Sequence, residues 1–89
     1  MPRVLLTIDE TFTVEGRGVV LLPRLEPIDD ERFATGDPIR IRRPDGTDLN
    51  TVMQGVEFLT TTDDSFLVIL LPKHIEQSDV PVGSDVWST

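Results

Sequence analysis

The chain has 89 residues, of which 16 are acidic and 8 basic, giving a net charge of −8, and it contains no cysteine. So short a chain fills a single core, so we treat residues 1–89 as one domain. The missing cysteines exclude disulfides, thiolate metal sites and a cysteine nucleophile. The acidic balance opposes general nucleic-acid binding, which needs positive charge at least locally.

The N-terminal residues 1–10 hold one short apolar run, which ends at Asp9 and Glu10. This run is too short for the apolar region of a signal peptide and far too short to span a bilayer. We therefore expect no membrane association and a cytoplasmic location.

The apolar residues fall in short runs rich in Val, Ile, Leu, Phe and Thr, separated by seven prolines and six glycines. This pattern is typical of strands. Residues 4–14 form the first run, and Gly16 and Gly18 after it favour a turn or bulge. The second run is 19–25; because Pro23 cannot donate to a strand ladder, it predicts an edge strand or a bend there.

An acidic connection over residues 26–37 leads to a segment in which Ile39 and Ile41 alternate with Arg40 and Arg42. This alternation with a period of two predicts a half-buried strand. If the isoleucines point inward, both arginines share the face that points to solvent.

The rest of the chain continues the same pattern. Pro44-Asp45-Gly46 fits a type I turn, and residues 49–59 are the returning strand of a hairpin. Residues 66–71 form a continuous apolar run, residues 73–78 one helical turn, and residues 86–87 a short closing strand.

Six short strands in one small domain predict an all-β fold, a closed six-stranded antiparallel β-barrel. The strand phases predict which side chains fill the barrel. The expected core residues are Ile8, Phe12, Val14, Ile39, Ile41, Val56 and Phe58.

No catalytic or ligand-binding motif is apparent. His74 is the only histidine, so a His-rich metal site is excluded. The cluster Asp29-Asp30-Glu31 lacks the spacing of a calcium loop. Gly16-Arg17-Gly18 is not followed by the Lys-Ser or Lys-Thr of a phosphate loop. We therefore predict no enzyme activity, no catalytic residue, no cofactor, no metal and no GTP binding.

Arg40 and Arg42 have two interpretations. They form a cationic stripe for a phosphate or an acidic partner, or they make the cross-strand pairs with carboxylates that are routine in sheets. The sequence also lacks interleaved aromatic residues for base stacking, so nucleic acid is an unfavoured partner.

The apolar run 66–71 offers a second candidate binding surface. Successive side chains of a strand point to opposite faces, so Phe66, Val68 and Leu70 lie on one face and the odd-numbered residues on the other. One set fills the interior, and the other is covered by the chain's own loops or offered to a partner. Alternation does not identify which set is which.

Taken in order, several segments resemble domain 2 of translational GTPases, elongation factor Tu most of all. They are TIDETFTVEGRGVVLLPRLE, FATGDPIRIRRPDG, TVMQGVEFL and FLVILLPKHIEQSDVPVGSDVW. The motifs that match are Gly16-Arg17-Gly18, Arg24-Leu25-Glu26, Gly36-Asp37, Gly55-Val56-Glu57 and Gly83. The resemblance covers residues 7–88.

The resemblance implies a six-stranded antiparallel barrel. In that family the domain packs beside the GTP-binding domain and, in elongation factor Tu, helps to hold the aminoacyl end of tRNA. These 89 residues include no GTP-binding domain, so the resemblance transfers neither nucleotide binding nor hydrolysis. Pro23 also replaces the usual glycine, and no tRNA-contacting residue can be matched by position.

Two functions follow as expectations. The first is a non-catalytic interaction module that binds a protein partner or a copy of itself, through residues among Arg40, Arg42, Phe66, Val68 and Leu70. The alternative is an RNA-binding module that recognises a tRNA acceptor end, by analogy with elongation factor Tu.

Overall fold

The protein is all-β, with eight strands in two antiparallel sheets. The computed structural model describes residues 2–25, 28, 31–60, 62–63 and 65–89, without the side chains at positions 23, 24, 59 and 65. The strands are β1 (Val4–Thr7), β2 (Glu10–Val14), β3 (Gly18–Leu25), β4 (Pro38–Arg42), β5 (Asp48–Val52), β6 (Gly55–Thr60), β7 (Ser65–Leu70) and β8 (Asp85–Ser88).

The first sheet has the strand order β1-β8-β4-β5 and the second sheet the order β2-β3-β7-β6. Every pairing between neighbouring strands is antiparallel. Among the described residues, no helix is long and apolar enough to cross a membrane.

The expected closed six-stranded barrel is not found. The sequence runs 4–14 and 49–59, each predicted as one strand, are both divided in two, which raises the strand count to eight. The division occurs where the chain bends out of the first sheet and into the second. Short-range alternation does not reveal such a bend, because both halves have the composition of a strand.

Backbone hydrogen bonds locate the two bends. At each bend, one N–H donates to a carbonyl flanking the first sheet and the next N–H donates into the second sheet. The four bonds are Ile8 to Ser84 at 2.8 Å, Asp9 to Leu22 at 2.9 Å, Met53 to Asp37 at 2.9 Å and Gln54 to Leu70 at 2.9 Å.

The main core lies between the two sheets. Ile8, Ile39 and Ile41 are buried in it, as predicted, and Val56 packs against it while partly exposed. The other main members come from every part of the chain, including Leu5, Leu6, Val19, Leu21, Leu25, Met53, Ile69, Leu71, Ile75, Val80 and Val86.

Three residues predicted for this core lie outside it. Phe12 and Val14 sit on the outer face of the second sheet, because the bend after Ile8 reverses which residues of the run point inward. Phe58 lies on the same face of β6 as Val56, but it is further along this edge strand, and its side chain is 71% exposed.

The predicted turn and the predicted bend are confirmed, and the helical turn is shifted. The Gly46 N–H donates to the Arg43 carbonyl at 2.9 Å, which confirms the turn at Pro44-Asp45-Gly46. The predicted helical turn is a 3₁₀ turn, placed slightly later at Gln77–Asp79. Pro23 lies in a central strand and not at an edge, but the register of β3 against β7 shifts between Leu21 and Leu25, as expected for a bend.

The 3₁₀ turn is fastened to both sheets. The guanidinium Nε of Arg43 donates to the Asp79 carbonyl at 2.7 Å, and the Gln77 amide donates to the Thr11 carbonyl at 3.0 Å. Ile75 and Val80, on either side of the turn, are buried in the main core. The segment therefore closes one side of the space between the sheets.

Gly18 gives a test of this packing. Its φ is +133°, and a Cβ added there would overlap the carbonyl oxygen of Leu71. We expect Gly18→Ala to lower the free energy of unfolding by roughly 3 kcal/mol, because backbone must move to make room. Urea denaturation followed by circular dichroism measures this change.

Gly16 provides the matched control. It also has a positive φ, +79°, but an added Cβ would meet nothing within 4 Å. We expect Gly16→Ala to cost only about 1 kcal/mol, the conformational penalty alone. Equal losses in the two variants would show that the close approach of Gly18 to Leu71 is unimportant.

Candidate functional site

Arg40 and Arg42 lie on the outer face of the first sheet. They alternate along β4 with Ile39 and Ile41, which are buried in the main core. The prediction that the isoleucines point inward and the arginines outward is therefore correct. Both arginines lie on a face that is open to a partner.

Arg42 is already paired. Its Nε donates to a carboxylate oxygen of Asp48 on the neighbouring strand at 3.0 Å. This hydrogen bond raises the pKa of Arg42 and lowers that of Asp48. On the other side of β4, Asp85 of β8 lies directly opposite Arg42. The Asp85 carboxylate accepts a hydrogen bond from the Thr7 hydroxyl at 2.7 Å. The cross-strand interpretation thus describes Arg42.

Among the described residues Arg40, unlike Arg42, forms no salt bridge, although its charge adds to the lowering of the pKa of Asp48. It lies directly opposite Trp87 of β8. The Nε atom of Arg40 and the Nε1 atom of Trp87 are both buried, and neither donates to an acceptor in the described part of the chain. This outer face therefore holds one paired and one unpaired arginine beside Asp48 and Asp85, and is not a uniformly cationic stripe.

The structure also identifies the outward set of β7. Ile69 and Leu71 are buried in the main core and Leu67 packs against it, whereas Val68 and Leu70 are buried in a separate cluster with Phe66 packed beside them. The even-numbered residues are therefore the outward-facing set, on the outer face of the second sheet.

The outward set belongs to a larger group, which we call the outer apolar cluster. Its floor is fully or nearly fully buried, whereas its upper members are half-buried or, for Phe12, 37% exposed. The floor is Val20, Val68 and Leu70. The upper members are Phe12, Val14, Leu22 and Phe66.

Strand register explains how these residues meet. Phe12 pairs with Val20, and Val20 pairs with Leu70, so one apolar row crosses three strands. Directly opposite side chains of antiparallel strands have Cβ atoms roughly 4.5–5.5 Å apart, close enough for contact. Its described members come from β2, β3 and β7, so side chains of these strands bury the floor.

An ion pair borders the cluster at the β6 edge. Arg17, in the turn between β2 and β3, pairs with Glu57 on β6. Arg17 lines one depression together with Glu57, Gly55 and Leu70. Arg17 thus helps to cover Leu70, while its charge is offset by Glu57.

Among the residues whose side chains are described, the remaining rim is mostly acidic. Glu10 lies in register with Leu22 at the β2 edge, and Glu15 is exposed in the turn after β2. Asp63, exposed between β6 and β7, adds a third carboxylate. Lys73, which lies near Gly16, is a basic residue at this rim.

Sequence reasoning identified three of the seven cluster members, Phe66, Val68 and Leu70, from the unbroken apolar run 66–71. Phe12 and Val14 were missed, because they were assigned to the interior from the phase of Ile8. Only knowledge of the bend would have placed them outside.

A separate depression of about 330 Å³ lies beside the start of β4, with an apolar floor that includes Leu5, Phe33, Ile39 and Met53. At its border the Arg3 guanidinium donates to Glu31, with Nε to Oε2 at 2.8 Å. The hydrogen bond from Arg3, with a second from the Ile28 N–H, lowers the pKa of the Glu31 carboxyl to about 2.

No catalytic arrangement appears among these groups. His74 is exposed, and within the described ranges no group of three or more His, Cys, Asp or Glu residues could hold a metal ion. Asp29 and Asp30 of the acidic cluster, and Glu26 of the Arg24-Leu25-Glu26 motif, lie outside the described residues.

Comparisons with protein-family models, with curated proteins and with solved structures returned no match. The chemical character of the surfaces therefore guides the functional proposal. Two features stand out: an apolar cluster on an outer sheet face and an acidic rim around it.

Lysine substitutions separate the floor of the cluster from its accessible part. We expect Val68→Lys to lower the free energy of unfolding by roughly 3 kcal/mol or more, because it forces a charge into a fully buried position. Phe12→Lys should cost about 1 kcal/mol or less, since its side chain reaches solvent. Urea denaturation of both variants makes the comparison. A stable Val68→Lys protein would mean that the floor is open to water.

The Arg3–Glu31 pair predicts a pH dependence. A carboxyl whose pKa is lower in the folded state stabilises the fold at pH values above its ordinary pKa. For Glu31 the ordinary pKa is 4.5. That contribution is lost as the pH falls from about 4.5 towards the folded-state value of about 2. We expect Glu31→Gln to have a lower urea midpoint than the wild type at pH 7, and the difference to shrink across this window. A difference that does not change with pH would contradict the assignment.

Proposed function

We propose that this protein is a non-catalytic binding module whose outer apolar cluster docks a partner protein. The observation that supports this is an apolar surface on the outside of a sheet, with Phe12, Val14, Leu22 and Phe66 partly exposed above a dry floor. An outer sheet face turned to water ordinarily carries polar residues. A dry apolar centre within a polar rim is the usual anatomy of a protein–protein interface.

The proposed partner has a basic surface. Among the rim side chains that the structure describes, the carboxylates of Glu10, Glu15 and Asp63 outnumber the basic Lys73, and Arg17 is neutralised by Glu57. The whole chain has a net charge of −8, which steers positively charged partners towards it and repels a second copy from the same face. A basic partner with apolar residues at its centre complements both features.

We further propose that the two sheets act as one six-stranded barrel of the type found in domain 2 of translational GTPases. The two bent runs each border both sheets, so counting each run once gives six strands in a continuous order around the core. The motif resemblance and this strand order support the proposal together. Fold analogy does not identify the partner.

Binding of a tRNA acceptor end is the less supported alternative. Arg42 is engaged by Asp48, which leaves Arg40 as the one arginine without a salt bridge among those that the structure describes on that face. Phosphate contacts dominate such affinities, and one cation beside two carboxylates supplies little of that attraction.

The proposal is tested by capture from cell lysate with immobilised protein. We expect the wild type to retain a basic protein and Phe12→Lys to lose it at least tenfold, because the new charge is placed inside the contact and repels the partner. Retention should fall as salt rises from ~50 mM to ~500 mM, since screening weakens the attraction.

Phe58→Lys is the matched control. It makes the same change of residue and charge at an exposed phenylalanine that lies outside the outer apolar cluster. Capture should fall far less in Phe58→Lys than in Phe12→Lys, because the docking surface itself is intact. Equal retention by wild type and Phe12→Lys would refute docking at the cluster, whatever protein is captured.

A further inference from the structure

The strand β6 forms one edge of the second sheet, where backbone groups on its outer side face away from β7. Such an edge is a template for pairing with another strand, and proteins usually protect it with charge, proline or a covering element. Phe58 on this strand is 71% exposed, the highest value among the exposed large apolar residues of the described chain.

The other edge strands are protected. β2 bears Glu10 and is tied at Thr11 to the 3₁₀ turn through the Gln77 amide, at 3.0 Å. β5 bears the exposed residues Asp48 and Asn50. β1 is followed at once by Asp9, and Arg3 just before it is held by Glu31.

The described part of the chain gives the β6 edge no comparable protection. Its one charged residue, Glu57, is neutralised by Arg17 of the same chain. From Val56 to Phe58, the described residues show no backbone hydrogen bond other than those to β7. In a chain of net charge −8, this is therefore the edge at which two copies can approach without placing unpaired carboxylates against each other.

We propose that two copies of this chain pair antiparallel through β6, around a twofold axis. An edge strand paired with its own copy makes an isologous contact, in which the same residues serve both partners. With Phe58 opposite Phe58 of the copy, the two exposed rings lie side by side and cover each other. In that register Glu57 faces position 59 of the copy, so the two glutamates do not oppose one another.

The pairing joins the two second sheets into one continuous sheet of eight strands. Both outer apolar clusters then lie on the same face, and a partner with two basic segments can bind both at once with increased avidity. The pairing itself does not depend on the proposed partner. A single short strand from each copy buries less area than a standard stable interface, so the dimer is weak and dependent on concentration.

Sedimentation equilibrium of the purified chain tests the proposal. We expect the average mass to rise from that of one chain towards that of two with concentration, and the rise to be steeper at ~500 mM than at ~50 mM salt, because screening reduces repulsion between two acidic copies. This salt dependence is opposite to that of the basic partner, so failure of one proposal is distinguishable from failure of the other.

Phe58→Lys should reduce the association constant at least tenfold, because two lysines would then face each other at the centre of the contact. Phe12→Lys, with the same charge change, should leave the association unchanged, and circular dichroism checks that both variants are folded. A wild type that stays monomeric at high concentration and high salt would overturn the proposal. So would loss of association in Phe12→Lys but not in Phe58→Lys.

Discussion

The two bends that carry the chain from one sheet to the other determine most of this molecule's surface. At the first bend, Ile8 bonds beside the first sheet and Asp9 bonds into the second. The side chains of one continuous run therefore exchange faces: Ile8 points into the main core, whereas Phe12 and Val14 point away from it. An apolar strand that would otherwise line the interior instead supplies the accessible part of the outer apolar cluster.

The cluster also contributes to the fold, which constrains how it can bind. Val20, Val68 and Leu70 are buried although the described residues form no third layer above them, so the strands that bear them are held together by apolar contacts on both faces. The proposed partner would meet a preformed surface whose floor is already desolvated, which lowers the cost of ordering side chains on binding. The upper residues and the charged rim would then determine which partner binds.

The sequence was informative wherever the controlling interaction is local. The turn at Pro44-Asp45-Gly46, the alternation of Ile39 and Ile41 with the arginines, and the all-β class follow from residue types a few positions apart. The bends, the burial of Val68 beneath its neighbours and the exposure of Phe58 depend on contacts between segments distant in the chain. The same limit applies to Arg40 and Arg42, which look equivalent in sequence and differ because only Arg42 donates a hydrogen bond to Asp48 among the described residues.

The two proposed contacts are coupled through charge. Each chain has a net charge of −8, and at physiological ionic strength the screening length is about 8 Å, so repulsion between copies paired at β6 acts mainly between groups near the contact. A basic partner on the outer apolar cluster sits next to that edge, across the Arg17–Glu57 pair, and reduces the local negative charge. Binding the partner therefore favours pairing of the chains. Thermodynamic linkage requires the reverse as well, so pairing of the chains strengthens the binding of the partner.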